Sequence, residues 1–317
     1  MGLPFLYIAI GILMGITKNK WIIRIFEPLA SVALGMLMFA IGANIGSNDK
    51  IISNIGSIGF YCAIVALSGT GLSIFLAVLS ERTIMPLEKI RQKLLQQHLS
   101  IENQTIVEVA EEKPKSSLFL TGIPLYILIG VVVGYFFITE DRAWILDYIF
   151  TASLFFIYVG VGVGLGADLK VFQYIRLLGW RVLILSGAVI VGSLLGGYIG
   201  GLLVPFPLAV SMIASGGMGY YSLTTAYMTQ TLGAEAGIYG FLINVIREFA
   251  TILLLPVLIR LGKSAPIAGA ASGSMDTMLL PVTRFVGQEL GIVTLITGVV
   301  LTVIIPFLLP ILFEIFQ

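Results

Sequence analysis

The sequence predicts an all-α integral membrane protein, with about eight transmembrane helices plus two re-entrant or broken helices, arranged as inverted-topology repeats. Three observations point there. The 317 residues are 58% hydrophobic and 11% charged, and mean hydropathy is +1.03, a composition foreign to soluble globules. Apolar runs long enough to cross a hydrocarbon core of ~30 Å recur along the chain. The 36 glycines fit helices that pack closely, or break, inside a membrane.

In order, apolar segments fall at 3–17, 27–46, 55–79, 118–138, 144–168, 182–204, 207–231, 238–261, 264–283 and 290–316. The first, Leu3 to Ile16, lacks a basic n-region and an A-x-A cleavage site, and reads as a retained short transmembrane helix. The long polar stretch 80–117 reads as a cytoplasmic linker between two halves, with an amphipathic surface helix over Leu87–Leu99 and a solvated run from Glu102 to Lys115. Leu6-Tyr7-Ile8 with Gly11 and Gly15 recurs as Leu125-Tyr126-Ile127 with Gly130 and Gly134. Gly42 to Lys50, followed by Ile51-Ile52, resembles Gly162 to Lys170 followed by Val171-Phe172. Residues 1–79 and 118–204 therefore read as duplicated three-helix repeats. With an odd number of crossings per copy, the second starts on the opposite side of the membrane.

Residues 205–317 form the remaining unit, read as a core with two interrupted segments, 207–231 and 264–283, and helices over 238–261 and 290–316. Ala214-Ser215-Gly216-Gly217-Met218-Gly219 recurs as Ala271-Ser272-Gly273-Ser274-Met275-Asp276, each copy inside an apolar segment that precedes one of those helices. Such glycines either pack helices closely or free backbone groups that protein, water or ligand must satisfy. The doubled motif favours two discontinuous helices or re-entrant hairpins. Basic residues set the orientation. With the N-terminus outside and both segments as hairpins, Lys18, Lys20, Arg24, Arg82, Lys89, Arg91, Lys93, Lys113, Lys115, Lys170, Arg176, Arg181, Arg260, Lys263 and Arg284 face the cytoplasm, and only Lys50 and Arg142 face out.

Glu248 lies at the middle of the apolar run Ile238–Ile259, where an ionised group costs at least ~2.5–3.5 kcal/mol and normally faces a bundle interior or an aqueous pathway. Arg247 is adjacent, and Asn244 is one turn earlier on nearly the same helix face. Asp276, next to the second interruption, is the other carboxylate expected deep in the membrane. Ser215, Gly217, Tyr221 and Ser222 surround one interruption, and Ser272 and Ser274 the other. Half-helix N-termini suit a carboxylate, and two fixed acids suit an ammonium. Glu248 is read either as part of such a site or as a structural partner of Arg247. Arg247 in turn either holds a ligand carboxylate or pairs with Asp276, and Tyr221 either packs or lines the site. Cys62 and His98, the one cysteine and one histidine, make neither a disulfide nor a metal cluster, and no cofactor is called for. A net charge of +1 gives no sign of a nucleic-acid partner.

At these residues the chain resembles the bacterial lysine exporter family (LysO family). That family's Ser-Gly-aromatic-Gly-Trp-Tyr-Ser-Leu, Asn-x-x-Arg-Glu and Ser-Met-Asp before a Pro stand here as Gly216-Gly217-Met218-Gly219-Tyr220-Tyr221-Ser222-Leu223, Asn244-Val245-Ile246-Arg247-Glu248 and Ser274-Met275-Asp276 with Pro281. Gly216 replaces a serine, Met218 an aromatic residue and Tyr220 a tryptophan. The resemblance implies export of L-lysine, or a related cationic amino acid, across the bacterial inner membrane against protons. It also implies that the family's two essential intramembrane acids correspond to Glu248 and Asp276.

The expected function is thus secondary active transport by a multi-pass protein of the lipid bilayer, with Glu248 and Asp276 as proton-coupling groups and a homodimer among the open oligomeric states. No G-x-x-x-x-G-K-[ST] loop for ATP is present, which favours an ion gradient as the energy source. The alternative is a sodium- or proton-coupled carrier of another small solute such as an organic acid, which would need more cations than carboxylates at the site. A channel, or an intramembrane protease, is a further alternative. The protease would need a Ser/His pair or two aspartates, whereas the expected acids are one Asp and one Glu.

Overall fold

The computed structural model describes residues 3–17, 20–47, 55–96, 115–138, 143–167, 180–275 and 277–316. Asp276, Asp49, Lys50, Asp168, His98, Arg142, Lys170 and Arg176 lie outside them, as do most of the solvated run after Glu102 and the distal ends of the first repeat, Ile51-Ile52 and Val171-Phe172. All regular elements among the described residues are helical. In chain order these are α1 (Leu3–Ile16), α2 (Lys20–Gly46), α3 (Ile55–Thr83), α4 (Leu87–Gln96), α5 (Lys115–Phe137), α6 (Ala143–Ala167), α7 (Leu183–Leu202), α8 (Leu208–Gly216), α9 (Tyr221–Leu232), α10 (Ala234–Leu261), α11 (Ser264–Ala270), α12 (Leu279–Val286) and α13 (Gly291–Phe316). Among the described residues, four helical stretches are long and apolar enough to cross a membrane: Gly56–Thr83, Trp180–Leu202, Ala234–Leu261 and Gly291–Phe316. Two of these extend past the apolar runs. α3 continues to Thr83 because Arg82 suits a helix C-terminus, and α10 starts at Ala234 with Glu235 in its first turn, where the dipole favours an acid.

The chain divides into two compact units. The first comprises Met1–Ile58, Ser116–Leu169 and Thr225–Ile238, and the second the remainder. In the first unit, helices meet backbone to backbone at glycines. A Cβ on Gly11 of α1 would fall 2.3 Å from the Val159 carbonyl oxygen, and its next neighbour is Gly162 of α6. A Cβ on Gly130 of α5 would fall 2.2 Å from the Phe39 oxygen, beside Gly42 of α2. Contact at that distance excludes every other side chain and replaces it with backbone dispersion and close dipoles.

In the second unit α7 is a wedge with two glycine faces. Gly192 and Gly196 admit the α3 backbone at Ser73 and Ser68–Gly69, where an added Cβ would come within 2.4 Å and 2.3 Å of backbone atoms. Gly197 and Gly201 face Ser215 and Ser211 of α8. Both expected interrupted segments contain a break. α8 and α9 are separated by 217–220, and α11 and α12 by a 3-10 turn, Ala271–Met275, and the residues after it. Met218 (φ 46°) and Ala271 (φ 49°) hold left-handed conformations that cost a residue with a Cβ of order 1–3 kcal/mol, so surrounding contacts must over-determine them.

The ends of these segments are tied down. Glu81, near the end of α3, accepts the Ser264 amide (2.8 Å) and hydroxyl (2.6 Å) at the start of α11. α4 is the amphipathic helix expected from Leu87. Its Glu88 pairs with Lys263, before α11, and Arg91 Nε donates to Glu289 Oε2 at 3.3 Å, after α12. Residues on both sides of the second segment are therefore held by one turn of α4. Before the first segment, Phe206 stacks on Tyr239 near the start of α10, with ring centroids 4.3 Å apart.

Candidate functional site

α10 has 28 residues, ~42 Å at 1.5 Å per residue, and its middle carries Asn244, Arg247, Glu248 and Thr251 on one face. All four are buried, with Glu248 only 7% exposed. Asn244, Arg247 and Glu248 each address one of the two breaks, and the Thr251 hydroxyl donates to the Arg247 carbonyl at 2.8 Å within the helix.

Asn244 serves the first. Its Oδ1 accepts the Gly219 amide at 2.6 Å, and its Nδ2 donates to the Ala214 carbonyl at 2.9 Å and to Gly240 one turn back at 2.8 Å. One side chain thus satisfies a donor after the left-handed Met218 and an acceptor at the end of α8, groups that the break would otherwise leave unpaired. Gly217 is held by its own turn, its amide donating to Ile213 and Ala214 carbonyls at 3.2 Å. A Cβ at Gly217 would collide with Thr224. Tyr221 stands edge-on to Phe241 of α10 at 6.1 Å, and Ser222 beside it is half-buried.

Arg247 serves the second. Its Nε donates to the Gly269 carbonyl at 3.1 Å, one terminal nitrogen to Ala268 at 2.9 Å and the other to the Ser193 hydroxyl at 2.8 Å. Two of these acceptors are last-turn carbonyls of α11, the negative end of its dipole, so the guanidinium is a C-terminal cap for that helix. Ser193 is in turn within 2.9 Å of the Ser73 hydroxyl, which links α3, α7, α10 and α11. Among the described residues, Arg247 is fully engaged with its neighbours. Its donors go to backbone oxygens and a serine, and the neighbouring Glu248 points elsewhere because successive helical residues diverge by about 100°.

Glu248 accepts a hydrogen bond from the Thr277 hydroxyl at 2.6 Å, the short length typical of a charge-assisted bond. Thr277 follows Asp276, which lies outside the described residues. The breaks also meet one another: the Ser272 amide and hydroxyl both donate to the Met218 carbonyl, at 3.1 and 2.9 Å. Ser274 donates to Ile267 at 3.3 Å, and Gly298 of α13 closes the far side, where a Cβ would come 2.2 Å from the Met275 amide nitrogen.

Of the expected ligand hydroxyls, then, three hold backbone oxygens. Ser215 donates to Ser193 (2.7 Å), Ser272 to Met218 and Ser274 to Ile267. Asn244 gathers the first break, Arg247 and Glu248 approach the second, Ser272 joins the two at Met218, and Ser215 bonds the Ser193 carbonyl of α7, whose hydroxyl Arg247 also reaches. Sequence reasoning missed Thr277, Ser193, Ser73 and Gly298. Thr277 was within reach of it, as the hydroxyl immediately after Asp276, whereas Ser193 had no signal beyond its place in a glycine-rich helix. A buried carboxylate bonded by the Thr277 hydroxyl, where the two breaks meet, can bind a proton or an ammonium group.

A family model described as "Lysine exporter LysO" matches residues 125–313. The lysine exporter LysO of Escherichia coli (strain K12) is 30% identical over 129 residues, 41% of this chain and 43% of that protein's length. A candidate lysine exporter of Haemophilus influenzae is 25% identical over 190 residues, 58% of this chain and 92% of that protein. The chain thus covers less than half of the first relative and nearly all of the second. No solved structure matches.

Proposed function

The chain belongs to the lysine exporter LysO family, and we propose that it is a secondary active transporter exporting L-lysine across the bacterial inner membrane by proton antiport. The observation that carries this reading is Glu248. It is a buried carboxylate at the midpoint of a membrane-length helix, bonded by Thr277, where two interrupted helices cross. Secondary transporters bind substrate at discontinuous helices near the bilayer midplane. Glu248, with Asp276, would hold the lysine ammonium in one phase of the cycle and protons in the other, and the positive end of α9 would receive the α-carboxylate.

The reading includes two architectural claims. First, both interrupted segments are re-entrant hairpins from opposite sides of the membrane. Support comes from α4 holding both Lys263 and Glu289, from Phe206 stacking near the start of α10, and from the two segments flanking α10 at its two ends. Second, 1–79 and 118–204 are inverted repeats, with eight crossings in all and the N-terminus outside. Support comes from reciprocal packing. Gly11 of the first copy lies on Gly162 of the second, and Gly130 of the second on Gly42 of the first, the exchange a pseudo-two-fold axis produces.

The alternative, a coupled carrier of an organic acid, needs a cation for its anionic cargo. Arg247 is already engaged by two carbonyls and a hydroxyl, which favours the cationic cargo. Lysine flux in proteoliposomes, with and without an imposed pH gradient and over a panel of amino acids and organic acids, tests the proposal. Flux of lysine driven by the gradient is expected, and gradient-independent flux, or transport of acids alone, overturns it.

A further inference from the structure

A groove of about 450 Å³ runs between α3 and α10, away from the crossing. Its wall on α3 is a single stripe, Gly71, Phe75, Leu79 and Arg82, and Leu258 and Leu261 of α10 form the other side. From Gly71 to Arg82 the stripe measures ~16 Å at 1.5 Å per residue, close to half of a ~30 Å hydrocarbon core, the depth of one leaflet. Gly71 lines its floor, and a Cβ built there meets nothing within 4 Å. Phe75, Leu79 and Leu261 are 60%, 47% and 48% exposed, so its flanks are apolar and open to lipid. Of its lining residues, Arg82 alone is charged. One guanidinium nitrogen lies 3.4 Å from the Leu261 carbonyl, which draws the head of the side chain across the mouth of the groove and leaves its other donors outward.

We propose that this groove is a binding site for an anionic phospholipid, its acyl chain between α3 and α10 and its phosphate on Arg82. Charge selects the occupant. A second copy of this chain or a zwitterionic lipid would fill the apolar stripe equally well but would draw no preference from Arg82, whereas an anionic headgroup pairs with its guanidinium at the rim. The site is independent of the transport reading, because its lining includes neither Glu248 nor any residue of 217–220 or 271–278.

Lipid retention by the full-length protein, purified in detergent with equimolar phosphatidylglycerol and phosphatidylcholine and read by native mass spectrometry, tests it. The unmodified protein retains phosphatidylglycerol about fivefold over phosphatidylcholine, the factor that one basic residue near an anionic surface supplies. Arg82→Gln abolishes that preference while retaining lipid, and Gly71→Leu, which fills the floor, lowers retention of both. Monodisperse elution of each variant establishes that it is folded. Equal retention of the two lipids by the unmodified protein overturns the proposal. So does disulfide-linked dimerisation through Phe75→Cys in a Cys62→Ser background, since it would assign the groove to a second copy.

Discussion

Ser272 reaches Met218, 54 residues away in sequence, with two donors at once: its amide and its hydroxyl both bind the Met218 carbonyl. The acceptor belongs to one left-handed residue, and the donor follows another, Ala271. The strain in each break is thus held by a contact with the other.

Ser272→Ala removes the hydroxyl bond and keeps the amide bond. We expect a loss of stability of about 0.5–1.5 kcal/mol and weaker lysine binding, because the two breaks are less firmly joined. Thermal unfolding in detergent and lysine titration of the same sample measure both. Unchanged values for both would mean that the amide bond alone sets the geometry.

Glu248→Gln should insert and accumulate normally. Arg247 rests on Gly269, Ala268 and Ser193, so loss of the Glu248 charge removes none of these acceptors. PH-driven lysine flux should nonetheless disappear, since an amide neither titrates nor pairs with an ammonium. Asp276→Asn should do the same, and the double variant should be no worse than either single one if the acids act together. Wild-type flux from a folded Glu248→Gln protein would defeat the antiport mechanism.

Arg247→Met leaves the Ala268 and Gly269 carbonyls without their donor in a membrane interior. Each hydrogen bond to a charged group contributes about 1.5–3 kcal/mol, so a severe loss of folded protein is expected, and Arg247→Lys should rescue only part because an ammonium lacks the planar fork. Monodisperse yield after detergent extraction reads this. A folded Arg247→Met variant that has lost only lysine affinity would return Arg247 to the role of a ligand-binding residue.

If the interrupted segments are hairpins, cysteines at Lys263 and Glu289 label from one side of the membrane and a cysteine at Ala234 from the other, in a Cys62→Ser background. With the N-terminus outside, position 234 reacts with an impermeant reagent in intact cells while 263 and 289 do not. Opposite behaviour of 263 and 289 would show a crossing segment.

Glu88 titrates below the ordinary carboxylate value, chiefly because the Lys263 side chain hydrogen-bonds to it, with Arg91 adding to the same effect. A carboxylate whose folded value is depressed contributes stability above its unfolded value and loses it as pH falls through the folded one. Docking of α4 should therefore hold at neutral pH and loosen below about pH 4. Because Glu88 is exposed, salt should loosen it as well. Hydrogen exchange of the amides of α4 against pH and salt checks this, and exchange indifferent to both would leave Leu87 and its apolar packing as the anchor.

How far the sequence could be read depended on where each signal resides. The breaks at Gly217 and Gly273 were legible because glycines and small polar residues inside apolar runs are a local signal, and so was the amphipathic start of α4 at Leu87. Glu248 and Asn244 were legible because polar residues one turn apart in a membrane helix are rare. The partners were not. Backbone carbonyls at Ala268 and Gly269 carry no side-chain signature, so Arg247 could not be distinguished from a ligand-binding residue. The hydroxyls of Ser215, Ser272 and Ser274 looked available, but a small hydroxyl in a low-dielectric interior bonds the nearest carbonyl, and only the packing of α7, α8 and α11 says which carbonyl that is.

The arrangement around Arg247 also orders the events of biosynthesis. Ser193 leaves the ribosome before Arg247, but the two carbonyls that take the rest of its guanidinium are 21 and 22 residues later in the chain. At ~5–20 residues per second, those acceptors arrive about 1–4 s after the arginine. On the proposed topology, helix 234–261 therefore meets the translocon before two of the three acceptors of its central cation exist, where a charge costs ~2.5–3.5 kcal/mol. With the next segment re-entrant on that topology, the two would enter the membrane as one unit of insertion.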